Sequence, residues 1–196
     1  MTELDSLEQL LAQIRECRLC EAHLPLGPRP VLRAMATARL LIVGQAPGTK
    51  VHASGIPWDD PSGHRLRRWL ALEPETFYDP ARVAIMPMGF CYPGRLSKGG
   101  DRPPRPECAP TWHQALLAQL PAIELIVLAG AYAQAYFLGT GRAGNVAETV
   151  RAWRDHAPRH IPLPHPSWRT LAWQKRNPWF DQEVLPELRR RVQTLL

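Results

Sequence analysis

Leu4, Leu7, Leu10, Leu11 and Ile14 recur at three- and four-residue intervals. The spacing predicts an amphipathic helix over residues 3–16, ending near Cys17, with Asp5 or Ser6 placed to cap its start. A proline-rich connector from Pro25 to Pro30 follows, and then the pattern changes. Arg39-Leu-Leu-Ile-Val-Gly44 is a short unbroken apolar run closed by glycine, as expected of a strand buried on both faces of a parallel sheet. Arg82 to Pro87, Glu124 to Ala129 and the shorter His160 to Leu163 have the same character. Helical patterns lie between and after them, at residues 63–72, 106–119, 131–138, 145–156 and 181–195. Strands alternating with helices predict an α/β fold, a three-layer α/β/α sandwich around a small, mainly four-stranded parallel sheet.

A chain of 196 residues is long enough for one domain and short for two, so residues 1–196 are expected to form one unit. Ligands of such folds lie beyond the carboxyl ends of the strands. Those ends carry Gly44-Gln45-Ala46-Pro47-Gly48, the Pro87 to Cys91 turn, Gly130, and Pro164-His165-Pro166-Ser167. Most of the 21 prolines fall in these connections, which suits rigid, shaped loops. Only Gly94 to Arg105 reads as a disordered or ligand-ordered loop, and there is no internal repeat.

Charge adds a partner class. The formal net charge is +6, and because Lys50, Lys98 and Lys175 are the only lysines, 21 of the 24 basic residues are arginine. Arginine's planar fork suits phosphate oxygens, so the bias is compatible with a nucleic-acid partner, although a GC-rich genome produces the same excess. The first fifteen residues lack a basic segment followed by an apolar run, and no apolar stretch approaches the ~18 residues needed to span a bilayer. A cytoplasmic protein without a membrane partner is expected. In that compartment the pair Cys17-x-x-Cys20, with Cys91 and Cys108 far along the chain, reads better as a metal or redox site than as disulfides. Four converging thiolates suit either zinc or a [4Fe–4S] cluster, and four unrelated buried thiols are the plain alternative.

Gly44-Gln45-Ala46-Pro47-Gly48 after a strand is a tight, ligand-facing turn, and it lacks the Gly-Lys-Ser/Thr ending of a P-loop. His165-Pro166-Ser167-Trp168 closes the last strand, where a lone histidine is more often structural than catalytic. Together with Gly55-Ile-Pro-Trp-Asp-Asp-Pro-Ser-Gly63, this ordered set resembles the uracil-DNA glycosylase superfamily. The iron–sulfur branches of that superfamily place a CxxC before the first motif and two cysteines after the second strand, where Cys17, Cys20, Cys91 and Cys108 stand. The resemblance runs from about residue 4 to the end.

The resemblance implies a monofunctional DNA glycosylase of base excision repair. It would hydrolyse the N-glycosidic bond of uracil, or a related deaminated base, in single- or double-stranded DNA. It also implies a [4Fe–4S] cluster on the four cysteines, with zinc as the alternative. Trp58 stands in the slot of the base-stacking aromatic, and His165 in that of the donor to the departing base. Gly44, Ala46, Pro47 and Gly48 border the base, while Ser167, Trp168 and Arg169 belong to the loop that enters the DNA. Two departures matter. Where related sequences have GEAPG, this chain has Gln45, which can orient a water and cannot take its proton; Asp60, of Asp60-Pro-Ser-Gly63, is the expected water activator, with Asp59 in reserve. Asp60 equally suits a helix N-cap. No asparagine occurs in Met86-Pro87-Met88-Gly89, where uracil is usually read, so backbone groups around Met88 to Phe90 or a side chain from elsewhere must substitute. Gly48 likewise offers no ring against the thymine methyl.

Arg65, Arg67, Arg68, Arg95, Lys98, Arg102, Arg105, Lys175 and Arg176 are the phosphate candidates. Trp173, Trp179 and Phe180 read as packing for the last helix. A monomer is expected. The competing function is a catalytically weak or inactive binder of uracil or abasic DNA, and a nucleotide hydrolase on the same sheet is a third class.

Overall fold

The computed structural model describes residues 6–196, so Leu4 and Asp5 of the expected first helix lie outside the described residues. Helix α1 spans Leu7–Arg15 because Ser6 caps it. The Ser6 hydroxyl accepts from the Gln9 N–H at 3.3 Å, and the Gln9 side chain accepts from the Ser6 N–H at 2.8 Å, a reciprocal pair that satisfies two otherwise free donors.

Strands β1 (Leu40–Val43), β2 (Val83–Ile85), β3 (Leu125–Ala129) and β4 (His160–Leu163) form one parallel sheet in the order β2-β1-β3-β4. From central β1 the chain passes to β2 at one edge, then crosses back to β3 and outward to β4. The connections after β1 and β3 thus diverge, which opens a crevice at the carboxyl ends of the two strands. Strand β2 is shorter than its apolar run. Beyond Ile85, Pro87 has no N–H, and the Met88 and Gly89 N–H groups bond to the Gly44 and Gln45 carbonyls at 2.9 and 3.0 Å, holding this segment against the first motif.

Helices α2 (Thr49–Ser54), α3 (Pro61–Leu70) and α4 (Pro74–Phe77) lie between β1 and β2, and α5 (Cys108–Ala118) between β2 and β3. Then come α6 (Ala131–Leu138) and α7 (Val146–Arg151) before β4, and α8 (Thr170–Arg176) and α9 (Leu185–Leu195) after it. The α6 helix coincides with its predicted span. The expected helix at 145–156 divides, since α7 ends at Arg151 and a 3-10 turn covers Trp153–His156. The pattern at 181–195 begins with a π turn, Phe180–Val184, before α9. The spacing did not predict α2, α4 or α8.

Alternation along the strands sorts the core into two layers. Leu40, Ile42, Val83, Ile85, Leu125 and Val127 pack with Leu66, Trp69 and Leu70 of α3 and Leu188 and Val192 of α9. Leu41, Val43, Ala84, Ile126 and Leu128 face the other way, onto Leu10, Leu11 and Ile14 of α1, Leu116 of α5 and Ala133 of α6. Each fully buried Leu, Ile or Val contributes roughly 1.5–3 kcal/mol, so both faces of this sheet are anchored and its carboxyl ends are rigid. Trp173 and Trp179 pack against the first layer with Phe180, as the sequence suggested.

Candidate active site

A cavity of about 540 Å³ opens at the carboxyl ends of the strands. The first motif, Gly44 to Gly48, lines it together with Trp58, Asp60, His165, Ser167, Trp168 and Arg169. Gln45, Asp60 and His165 therefore face one space with Trp58 and the residues expected to border the base and enter the DNA. Asp59 is exposed and does not line it.

Trp58 owes its position to its neighbours' lack of side chains. A Cβ on Gly44 would meet the indole at 2.6 Å, so the ring lies directly on the motif backbone. Trp58 itself sits in the left-handed region, with φ of 59°, and a Cβ on Gly63 would meet its carbonyl oxygen at 1.7 Å. The buried Arg67 guanidinium donates to that carbonyl at 3.4 Å, to the Tyr78 hydroxyl at 2.9 Å, and shares a 2.9 Å contact with His64 Nδ1. Arg67 is thus a support for Trp58 and is removed from the phosphate candidates.

His165 lies beside Trp58, with ring centroids 5.7 Å apart. Its carbonyl accepts from the Ser167 N–H at 2.8 Å and the Thr170 hydroxyl at 2.5 Å, which closes the loop after β4 tightly. Burial pushes the imidazole below its ordinary value, against the opposing pull of the Asp60 carboxylate. The ring is therefore neutral at pH 7 and offers one N–H without carrying a charge. Arg65, another phosphate candidate, is turned inward: its guanidinium donates to the Pro166 carbonyl at 3.2 Å and to that of Ser167. It holds the loop that presents His165, Trp168 and Arg169.

Asp60 caps α3, and one of its carboxylate oxygens accepts from the Gly63 N–H at 2.7 Å. Gln45 donates from Nε2 to the Arg102 carbonyl at 2.9 Å, tying the first motif to the loop that follows β2. That loop folds into a hairpin. Arg95 and Asp101 face each other across an antiparallel bridge, and Arg95, Leu96, Gly100 and Asp101 line the cavity. Sequence reading missed Asp101, whose carboxyl burial pushes above its ordinary value; Arg95 and Arg169 oppose that push, and the Asp60 charge adds to it. Its only signal was a lone acid in a glycine-rich, basic loop. Trp168 is 71% exposed and Leu96 49% exposed, both at the cavity.

The expected backbone readers are committed elsewhere. The Met88 and Gly89 N–H groups serve the first motif, and the Phe90 N–H points to Cys108 Sγ at 3.3 Å. Base reading by these donors is thereby corrected, because a donor already paired inside the protein is not free for a ligand.

Cys17, Cys20, Cys91 and Cys108 carry no disulfide and line a second, small cavity with Phe90, Arg105 and Trp112. Burial pushes the Cys91 thiol up to about 11 and the Cys108 thiol up to about 12. Arg105, bonded to Glu107 at 2.6 Å and to Cys20, belongs to this site more than to a phosphate surface. The Trp112 indole N–H is buried and has no acceptor among the described residues. No three His, Cys, Asp or Glu side chains among the described residues converge as ligands of a single metal ion.

No helix among the described residues is long and apolar enough to cross a membrane. The family model described as the uracil DNA glycosylase superfamily matches residues 33–189. That span includes every residue of the main cavity except Val31, and the fold agrees with it, so the chain belongs to the uracil DNA glycosylase superfamily.

Proposed function

We propose that this protein is a monofunctional glycosylase that hydrolyses the N-glycosidic bond of uracil, or of a related deaminated base, in DNA. The observation that carries the reading is the convergence of an aromatic platform, a neutral histidine and a carboxylate on one cavity of base-accepting size. A target base leaves the duplex or single strand and stacks on Trp58, a contact worth roughly 1–3 kcal/mol. As the C1′–N1 bond lengthens, negative charge gathers on the base and positive charge on the sugar. His165 donates to the base oxygen, and the Asp60 carboxylate opposes the sugar's charge. Trp168 fills the gap left in the stack, and Arg169, with its guanidinium 5.1 Å from the Trp168 ring centroid, meets the backbone.

The test is release of abasic product by the pure protein from a panel of uracil, hypoxanthine, xanthine and thymine-mismatch DNA. His165→Ala and Asp60→Asn should each slow single-turnover cleavage far more than they weaken binding. Tight uracil-DNA binding with no base release would replace this reading with that of a binding protein.

We further infer that the four cysteines hold a [4Fe–4S] cluster, not zinc. Four free thiols line one cavity, and a cluster sulfur would give the buried Trp112 N–H the acceptor it lacks. Such a group supplies metal–thiolate bonds that tie the segment after α1 to the loop after β2 and the start of α5. Brown protein with iron and sulfide supports this assignment; stoichiometric zinc in colourless protein overturns it.

A further inference from the structure

The cavity holds two carboxylates that are placed very differently. Asp60 is fixed as the cap of α3, with one oxygen occupied by the Gly63 N–H. Asp101 arrives on the hairpin after β2, which the Leu96 N–H closes onto the Gly100 carbonyl at 2.9 Å. The base of the hairpin is pinned twice, by the Arg102 N–H to the Gly94 carbonyl at 2.8 Å and by Gln45 Nε2 to the Arg102 carbonyl at 2.9 Å. The Asp101 carboxylate lies beside the first motif, with Oδ2 3.5 Å from where a Cβ on Gly48 would stand. The charged groups that face it are Arg95 on its own hairpin, Asp60 at α3 and Arg169 after β4, and the neutral His165 shares the cavity.

We propose that Asp101 is the general base of the reaction, taking the proton of the attacking water while Asp60 opposes the charge on the sugar. This inference rests on the glycosylase reading above. In the step, the C1′–N1 bond breaks and its electron pair leaves with the base. A C1′–O bond forms from the water, and the water's proton passes to the Asp101 carboxylate. The base departs as an anion hydrogen-bonded to His165 and takes its proton from solvent. Two environments that set neighbouring carboxylates apart are the usual means of dividing such roles, and a base works best when its proton affinity approaches the working pH. Burial and the Asp60 charge move Asp101 in that direction.

The test is single-turnover cleavage of uracil-containing DNA followed across pH, with binding measured in parallel. The wild-type rate should rise with pH along an acid limb displaced upward from the ordinary aspartate value. Asp101→Asn should lower the rate by roughly 10²–10⁴-fold and flatten that limb, with binding retained. Arg95→Gln removes a cation that favours the ionised carboxylate, so it should move the limb to higher pH. An Asp101→Asn protein with the wild-type rate and limb overturns the inference, as does equal loss of rate and binding, which would mark a loop-building role. A wild type that cleaves beside an indifferent Asp101→Asn overturns this inference alone. A wild type that releases no base removes the glycosylase reading and this step with it.

Discussion

Gly63→Ala tests whether the strained seat of Trp58 governs both stability and catalysis. The new methyl would stand 1.7 Å from the Trp58 carbonyl oxygen, 2.6 Å from its carbonyl carbon and 2.8 Å from its Cβ. Two of those three atoms are backbone, so the clash cannot be relieved by a rotamer change. The Trp58 peptide must shift to relieve it, which disturbs the carbonyl that Arg67 and Tyr78 donate to. Overpacking of this kind costs about 1–3 kcal/mol. Opposing it, alanine in a helix gains about 0.5–1 kcal/mol over glycine, and Gly63 lies in the first turn of α3. The clash wins. A net loss of about 1–2 kcal/mol corresponds to a fall in Tm of about 2–8 °C for a chain of this size. Displacing the indole from Gly44 also forfeits much of the base stacking, so single-turnover cleavage should drop roughly 10–100-fold. Thermal unfolding and rapid-quench cleavage of uracil-DNA measure the two effects. Gly141→Ala is the control, because no heavy atom lies within 4 Å of its added Cβ. If Gly63→Ala matches the wild type in Tm and rate, the account of the Trp58 seat is wrong.

Arg65→Met should free the Pro166 and Ser167 carbonyls and loosen the loop after β4; hydrogen bonds from a charged donor are worth about 1.5–3 kcal/mol, so cleavage should fall at least tenfold while DNA affinity changes less. Gln45→Glu should lower activity by a few-fold instead of raising it, because a carboxylate cannot donate to the Arg102 carbonyl and a bond worth about 0.5–1.5 kcal/mol is lost; single-turnover rates decide this. His113 is fully buried, its ring nitrogen 3.1 Å from the Pro87 carbonyl, and burial depresses its pKa to about 4. Its neutral form is favoured by folding, so that stability is present above the unfolded value of about 6.5 and declines as pH falls toward 4, by about 3 kcal/mol at most. Urea unfolding at successive pH values should show that slope, and His113→Gln should flatten it.

Much of the scaffold was legible because a parallel sheet covered on both faces demands uninterrupted apolar runs, and Leu40 to Val43 and Leu125 to Ala129 could hardly be anything else. The site was legible where chemistry sits at strand ends, as with Gly44 to Gly48 and His165. The failures share a cause. Arg65 and Arg67 read as surface cations because their side chains bond to carbonyls of Pro166, Ser167 and Trp58, partners invisible in a linear pattern. Helix α8 is only seven residues long, too short for an apolar period to mark it, and Thr170 near its start bonds to the His165 carbonyl. Asp101 lay in a stretch whose glycines and prolines suggested disorder, and the Gln45 bond, the Arg95 bridge and the backbone bonds of the hairpin, none of them visible in a linear pattern, give that stretch a shape.

Gln45, Gly48 and Asp101 are best understood as one arrangement. The Arg102 carbonyl needs a donor, which glutamine has and glutamate lacks, so an acid at position 45 would leave the hairpin unpinned at that point. Once pinned, the hairpin brings its own carboxylate to the cavity, beside Gly48. The amide in the first motif and the acid in the hairpin are therefore compatible with each other in a way that an acid in both places is not, since three carboxylates would then crowd one opening and each would disfavour ionisation of the others. An amide at position 45 does not in itself argue for an inactive protein: the cavity holds two carboxylates, one on the helix that also seats Trp58 and one on a hairpin held by the Gln45 side chain.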